Sequence, residues 1–234
     1  MLKVELHSHT SDDPVDQIPH TSLELIDRAA ALGYDALAIT LHDRRLDPRP
    51  LVPYAADRGL VLIPGIEKTI QGRHVLLLNF SSAAEDVRSF ADLAALKARE
   101  DGLVIAPHPF FPARNCLHGL MDRYADLFDA VEKNAMFTRR LDFNRRAERW
   151  AVAHGKPIVG NGDVHRLHQL DSCYSLVDAI PEPGAICAAI RRGHVSVTAR
   201  PLTFVRAVTT MAVLTIANLL PRHGQALNAA PERA

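Results

Sequence analysis

The sequence lacks the features of several large classes of protein. Its 234 residues carry no net charge, with 27 basic and 27 acidic side chains, whereas a protein that coats nucleic acid or an acidic membrane is normally basic. Cysteine is scarce, and Cys116, Cys173 and Cys187 are too few and too far apart for a disulfide framework or a CxxC metal site. We therefore expect buried or incidental thiols in a reducing compartment.

The sequence also shows little sign of export or of membrane insertion. Residues 1–7 have no basic region followed by an apolar one, which a signal peptide needs. The most apolar late stretch, 202–220, contains Arg206 and is marginal as a membrane span, so we expect a helix packed on a core. We also expect a cytoplasmic protein with one domain at 1–220 and a loose tail at 221–234.

Short apolar runs alternate with helical patterns along most of the chain. Strands are predicted at 2–6, 35–40, 60–66, 75–80, 103–106, 127–132, 157–160 and 195–198. Helices are predicted at 21–32, 48–59, 84–100, 139–154 and 183–192, and a hairpin turn at 69–73. This alternation is typical of an α/β protein with a parallel sheet covered by helices. About seven such units in a chain of this length favour a barrel over an open sheet.

Histidine is abundant, with 12 residues, and the positions of the histidines relative to the predicted strands indicate the functional site. The side chains at or near predicted strand ends are His7, His9, His42, Glu67, His74, His108, Asp163 and His165. In a barrel of parallel strands the carboxyl ends share one face, where active sites are built. Imidazoles and carboxylates suit Zn, Mn or Fe, and more than four such ligands imply more than one ion.

These residues stand in motifs whose order resembles that of the PHP (polymerase and histidinol phosphatase) family. The motifs read HSHT at 7–10, ITLHD at 39–43, GIE at 65–67 followed by His74, APHP at 106–109 and GDVH at 162–165. The resemblance covers about residues 1–200 and implies a distorted, seven-stranded, TIM-like α/β barrel. It also implies hydrolysis of a phosphoester bond by a metal-activated water at a trinuclear site. We expect the substrate to be a small phosphomonoester or nucleotide.

The resemblance further implies how two or three divalent ions (Mn, Fe or Zn) share the ligands. One ion would take His7, His9, Glu67 and Asp163; a second would share Glu67 and add His74 and His108; a third would take His42, His165 and a carboxylate from the loop after His9. Glu67, Asp163 and His165 would also take part in catalysis. The loop departs from the family pattern. Counting from the following helix favours Asp16, which we prefer, and counting from His9 favours Asp13.

Substrate contacts and alternative activities are less strongly indicated. Glu132, Lys133 and Asn134 end a strand on the expected active face and could contact substrate. Arg191, Arg192 and His194 could bind a phosphate group. The neutral charge balance favours a small phosphorylated substrate over a stable nucleic-acid or membrane partner, and the arginines at 139–149 are predicted to form an exposed helix face. The alternatives are a stand-alone PHP-type nuclease and an amidohydrolase-like enzyme acting on C–N bonds. The second usually has a carboxylated lysine, but Lys68 should point away from Glu67.

Overall fold

The computed structural model describes residues 1–219, which fold into nine strands and seven α-helices. The strands are β1 (Leu2–Glu5), β2 (Ala36–Ile39), β3 (Val61–Ile70), β4 (Arg73–Leu78), β5 (Leu103–Ala106), β6 (Ala130–Asn134), β7 (Ile158–Asn161), β8 (Cys173–Val177) and β9 (Val195–Ala199). The helices are α1 (Ser22–Ala31), α2 (Val52–Ala56), α3 (Phe90–Lys97), α4 (Leu120–Arg123), α5 (Asn144–Ala153), α6 (Pro183–Arg191) and α7 (Phe204–Leu219).

All nine strands form one sheet, in the order β7-β6-β5-β4-β3-β2-β1-β8-β9. The expected α/β barrel is confirmed, but the expected count of seven strands is wrong. The extra strands arise where the chain pairs antiparallel. Strands β3 and β4 are joined by a tight turn whose residues Gln71 and Gly72 both have positive φ, as the favoured hairpin turns require. Strand β8, which the sequence did not predict, pairs antiparallel with β1 and β9.

The two ends of the sheet meet, so the barrel is nearly closed. Ser8 and Val164 form an isolated parallel bridge between the segments that follow β1 and β7. The Val164 N–H donates to the His7 carbonyl at 3.1 Å, and the His9 N–H donates to the Val164 carbonyl at 3.0 Å. These bonds place the segment of His7 and His9 beside the segment of Asp163 and His165.

Gly160 in β7 permits this close approach. A Cβ atom at this position would lie 2.6 Å from Val197 Cγ1 and 2.8 Å from the Tyr174 carbonyl oxygen. The Gly160 N–H also donates to Ser175 Oγ at 2.9 Å. A larger residue would therefore push β7 away from β8 and β9 and loosen the barrel.

The helices cover the barrel in the way their sequences predict. Helix α1 starts at the capping residue Thr21, whose hydroxyl accepts from the Glu24 N–H while the Glu24 carboxylate accepts from the Thr21 N–H. It buries Leu25 and Ile26 against the sheet, which stabilises the fold by about 1.5–3 kcal/mol per side chain. It ends just before Gly33, whose φ of 71° few other residues adopt readily. The three cysteines are buried and unpaired.

Four predicted helices differ from those observed. The helices predicted at 48–59 and 84–100 are shorter, at Val52–Ala56 and Phe90–Lys97. The helix predicted at 139–154 begins only at Asn144, so Arg139 and Arg140 lie in the preceding loop. The helix in 202–220 exists, but the expectation that it packs on a core is wrong, since Phe204 and Val205 are 71% and 70% exposed. No helix among the described residues is long and apolar enough to span a bilayer. The predicted tail at 221–234 lies outside the described residues.

Candidate metal centre

The carboxyl-end face of the barrel brings together six imidazoles and two acidic side chains that the sequence singles out. They are His7, His9, His42, Glu67, His74, His108, Asp163 and His165. All but two follow or end strands that run toward this face. Glu67 lies within the long strand β3, opposite Leu76, and His74 lies in β4. Because β4 runs antiparallel, its amino end reaches the same face.

Glu67 lies at the centre of this group and is only 1% exposed. Its Oε2 lies 3.2 Å from His7 Nε2, 3.3 Å from His9 Nε2 and 3.1 Å from His42 Nε2. Its Oε1 lies 2.6 Å from His74 Nδ1 and 3.4 Å from His108 Nε2. A single carboxylate that faces five imidazoles with two oxygens has the arrangement of a bridging ligand.

Asp163 faces two of these imidazoles, those of His7 and His9, and also that of His165. Its Oδ1 lies 3.4 Å from His7 Nε2, 3.6 Å from His9 Nε2 and 3.4 Å from His165 Nδ1. His7 Nε2 and His9 Nε2 are buried and make no hydrogen bond, which is costly for polar atoms. Imidazole nitrogens without hydrogen-bond partners, turned toward carboxylate oxygens, are a donor set that fits a divalent metal ion.

The charges of Glu67 and of the imidazoles around it stabilise one another. Burial raises the pKa of Glu67, but His74, His7 and His42 outweigh it and bring that pKa well below its usual range. Burial lowers the pKa of His7, but the carboxylates of Asp163, Glu67 and Glu132 outweigh it and raise that pKa. The carboxylates thus favour a positive charge at His7, and a divalent cation would supply that charge in place of the proton.

Glu132, on β6, accepts hydrogen bonds from His7 and His108 and so orients both residues. The side chain is fully buried, its Oε1 lies 2.8 Å from His7 Nδ1, and its Oε2 accepts from the His108 N–H at 2.7 Å. When His7 Nδ1 donates to Glu132, the lone pair on Nε2 is directed at Glu67 and Asp163. The sequence predicts a substrate contact for Glu132 at the end of a strand, whereas the structure turns its carboxylate toward His7 and His108.

The two aspartates of the loop after His9 have different surroundings. Asp13 Oδ2 lies 2.9 Å from His9 Nδ1 and 3.0 Å from His42 Nδ1, so this oxygen orients two imidazoles. Asp13 Oδ1 accepts from the Asp16 N–H at 2.8 Å. Asp16 Oδ2 instead lies 2.8 Å from His165 Nε2 and 3.9 Å from His42 Nδ1. The oxygens of Asp13 are thus held by hydrogen bonds, whereas Asp16 faces His42 and His165, the imidazoles that the family resemblance implies for the third ion.

Two residues of the group have strained backbones. His108, between Pro107 and Pro109, has a φ of 29°, and Asp163 has a φ of 48°. Positive φ is uncommon outside glycine and costs on the order of 1–3 kcal/mol. The surrounding hydrogen bonds, including that from the His108 N–H to Glu132, hold the backbone in this geometry. Such strain is typical of functional sites.

A cavity of about 190 Å³ opens beside Asp163, His165 and His108. Asn134 lines it and donates from Nδ2 to Asp163 Oδ2 at 3.1 Å. The structure therefore brings this predicted substrate residue to the group. The other walls of the cavity are largely apolar. They include Phe111, Ala113, Met136 and Met211, together with Asn115 and Cys116.

The structure does not bring Arg191, Arg192 and His194 to this group. Arg191 pairs with Asp101, which precedes the amino end of β5, whereas His108 follows its carboxyl end. Arg192 and His194 lie just before Val195, which pairs with Val177 beside the amino end of β1. The loop after α6 thus lies at the opposite end of the barrel, so a contact with substrate at this centre is not supported.

Lys68 is also separate from the group. Its side chain is buried, and its Nζ lies 3.0 Å from Asp43 Oδ1. Asp43 belongs to none of the clusters of potential metal ligands found among the described residues. Its neighbour Glu67 points to the opposite side of the strand, as the alternation along β3 requires.

Comparison with known proteins confirms the resemblance to the PHP family. Residues 142–195 match the family model PHP_C, described as PHP-associated. No curated protein matches the sequence. The fold resembles that of a two-domain protein from Bacteroides vulgatus that contains a predicted PHP-like metal-dependent phosphoesterase. The TM-score is 0.65 at 17% identity, and the match covers 85% of this chain and 65% of that one. The chain thus spans slightly less than two thirds of that protein.

Two further solved structures share the fold. PsfC from Pseudomonas syringae matches with a TM-score of 0.61 at 16% identity, over 93% of this chain and 98% of that one. The lesion-specific endonuclease Q from Pyrococcus furiosus matches with a TM-score of 0.55 at 15% identity, over 90% of this chain and 66% of that one. At these identities the likeness establishes the fold.

Proposed function

We propose that the chain is a metal-dependent hydrolase of phosphoester bonds in small phosphorylated compounds. The observation that carries the proposal is the pair of buried nitrogens, His7 Nε2 and His9 Nε2, which lack hydrogen bonds and face the carboxylates of Glu67 and Asp163. The fold, shared with proteins described as metal-dependent phosphoesterases, supports the same reaction class.

The donor set has room for more than one ion, and we propose two or three. His7, His9, Glu67 and Asp163 would hold the first, and Glu67 would share the second with His74 and His108. For the third ion, Asp16 is a better ligand than Asp13 beside His42 and His165, because Asp13 already accepts from two imidazoles. Glu132 and Asp13 would then act as positioning residues that fix the tautomers of His7, His9 and His42.

Divalent ions at these positions would activate water and neutralise the charge of a phosphoryl group. The chain itself supplies positioning. Asn134 holds Asp163 through its amide, and Asp13 holds His9 and His42 at their Nδ1 atoms. The apolar walls of the neighbouring cavity would exclude water from the organic part of the substrate. No serine or cysteine nucleophile is required.

Lys68 separates this proposal from C–N bond hydrolysis. A carboxylated lysine would have to lie among the metal ligands, whereas Lys68 is buried against Asp43. A phosphodiesterase or nuclease is the second candidate, favoured by the fold likeness to endonuclease Q. The two candidates share the metal centre and differ in the substrate.

The proposal is tested with protein reconstituted with Mn²⁺, Fe²⁺ or Zn²⁺ and a panel of phosphomonoesters, phosphodiesters and amides. We expect release of phosphate from at least one monoester, and loss of at least 100-fold in kcat/KM for Glu67→Gln. Turnover of amides alone would refute the proposal. Turnover of diesters alone would transfer the assignment to the second candidate.

A further inference from the structure

Nδ1 of His108 has a different partner from Nδ1 of the other imidazoles in the metal centre. It lies 3.5 Å from the sulfur of Cys116, a buried cysteine that lines the neighbouring cavity. The other five imidazoles each have an oxygen atom 2.6–3.0 Å from Nδ1, and they belong to His7, His9, His42, His74 and His165. The contact with sulfur is therefore particular to one proposed ligand, and the proposed function does not account for it.

The barrel holds Cys116 in place. The residue lies in the loop that follows β5, and two residues at the start of β4 bind the backbone of this loop. The His74 N–H donates to the Asn115 carbonyl at 2.8 Å, and Arg73 Nη1 donates to the Cys116 carbonyl at 3.1 Å. Cys116 is only 1% exposed. Its sulfur is thus fixed beside His108 by the same strand that carries His74.

The single proton of the thiol determines how Cys116 and His108 interact. The Cys116 thiol donates to Asn115 Oδ1, with a distance of 4.0 Å between sulfur and oxygen. Only lone pairs of the sulfur are then left for His108, so the imidazole must carry its proton on Nδ1 and donate it to the sulfur. The lone pair of His108 is consequently on Nε2, which lies 3.4 Å from Glu67 Oε1. This is the tautomer that can bind metal beside Glu67.

Asn115 extends the contact to the other imidazole of the second ion. Its Nδ2 lies 3.3 Å from His74 Nδ1 and 3.4 Å from His74 Nε2. The two consecutive residues Asn115 and Cys116 therefore contact both His74 and His108. These are the two imidazoles assigned to the second ion, which shares Glu67 with the first.

We propose that Cys116 is a positioning residue that fixes His108 in the tautomer needed to bind the second ion. The inference rests on the proposed function, which places that ion at Glu67, His74 and His108. Cys116 acts through His108 and is not itself a ligand, because it belongs to none of the clusters of potential metal ligands found among the described residues. Sulfur accepts hydrogen bonds weakly, but here it is the partner that the loop places at Nδ1.

The test compares Cys116→Ala with Cys116→Ser. Alanine and serine leave side chains of nearly the same size, but only serine keeps an acceptor for His108 Nδ1. Cys187→Ala is the control, because Cys187 is an equally buried thiol on α6. Mn²⁺ is titrated calorimetrically into chelator-stripped protein, and circular dichroism checks the folding. Absorption spectra of the Co²⁺-loaded proteins show whether a thiolate binds the metal directly.

We expect Cys116→Ala to bind one ion at least about 10-fold more weakly, as for the loss of other partners that orient a metal-binding histidine. Its other ions should keep their affinity within twofold. Cys116→Ser and Cys187→Ala should bind every ion within threefold of wild type. If the thiol acts through His108, the double variant His108→Ala/Cys116→Ala should hold as many ions as His108→Ala.

Equal loss in Cys116→Ala and Cys116→Ser, or no loss in either, would overturn the proposal, because packing alone would then explain the cysteine. A thiolate-to-cobalt absorption band that disappears in Cys116→Ala would also overturn it, since Cys116 would be a ligand. Fewer than two ions in the folded wild-type protein would remove the second ion and the proposal with it. If the wild type binds its ions in this Cys116-dependent way but hydrolyses no phosphoester, the proposed function fails and the positioning role stands.

Discussion

Replacing Glu132 by Gln tests whether metal binding depends on residues that hydrogen-bond to the proposed ligands without contacting the metal. The Glu132 carboxylate accepts from His7 Nδ1 at 2.8 Å, Asn161 Nδ2 at 3.0 Å and the His108 N–H at 2.7 Å, and all of these groups are buried. The substitution keeps the shape and replaces one accepting oxygen by an NH₂ group. Whichever way the amide turns, one donor then faces another donor.

Both orientations of the amide have a calculable cost. If the NH₂ group faces the His108 N–H, a buried donor loses its partner at about 1–3 kcal/mol. If it faces His7, the imidazole must accept at Nδ1 and carry its proton on Nε2, the atom that would bind metal. Loss of such a supporting partner lowers metal affinity by about 10- to 100-fold, which equals about 1.4–2.7 kcal/mol.

The assay is calorimetric titration of Mn²⁺ into chelator-stripped protein, with circular dichroism as the check on folding. Glu148→Gln is the matched control, because Glu148 lies on α5, pairs only with Lys133 among the ion pairs of the described residues, and is partly exposed. We expect weaker Mn²⁺ binding for Glu132→Gln and unchanged Mn²⁺ binding for Glu148→Gln. Unchanged affinity in a folded Glu132→Gln protein would refute the positioning role.

Three other predictions test separate parts of the account. Asp16→Asn should lower the metal content by about one ion per chain, measured by elemental analysis. Asp13→Asn should keep the number of bound ions and weaken their binding, measured by titration. The reverse result would make Asp13 the ligand. Lys68→Met should retain both metal and phosphoester hydrolysis, and loss of metal would favour a carboxylated lysine. Gly160→Ala should lower the free energy of unfolding in urea by about 1–3 kcal/mol through overpacking, while Gly119→Ala, which meets open space, should change it by less than 0.5 kcal/mol. Equal effects of the two glycine substitutions would refute the account of barrel closure.

Much of the site could be predicted from the sequence because strand ends and motif residues coincide. The apolar runs located the strands that precede His7, His42, His108 and Asp163. Parallel pairing brings the carboxyl ends of such strands to one face, independently of the loop conformations. The hairpin at Gln71 was also predictable, because its turn residues have a local chemical signature. Local patterns of this kind depend little on the rest of the fold.

Features that depend on long-range pairing could not be predicted. Strand β8 is short and amphipathic, and it is a strand only because β1 and β9 pair with it. The sequence placed Arg191 just before a late strand but could not show which way that strand runs. The strand, β9, is antiparallel to β8 and so runs in the same direction as β1, which puts the residues before it at the amino ends of the strands, away from the metal centre. The distinction between Asp13 and Asp16 depends on which imidazole each faces, a property of the folded loop.

Metal stoichiometry is the measurement that tests the central claim most directly. Protein purified anaerobically, reloaded with Mn²⁺, Fe²⁺ or Zn²⁺ and freed of excess ion is submitted to elemental analysis beside Glu67→Gln and the exposed-site control Glu24→Gln. Because Glu67 faces five imidazoles with two oxygens, the account predicts two or three ions per chain in wild type and control, and a loss of at least one in Glu67→Gln. Less than one ion per chain in the folded wild-type protein would contradict it.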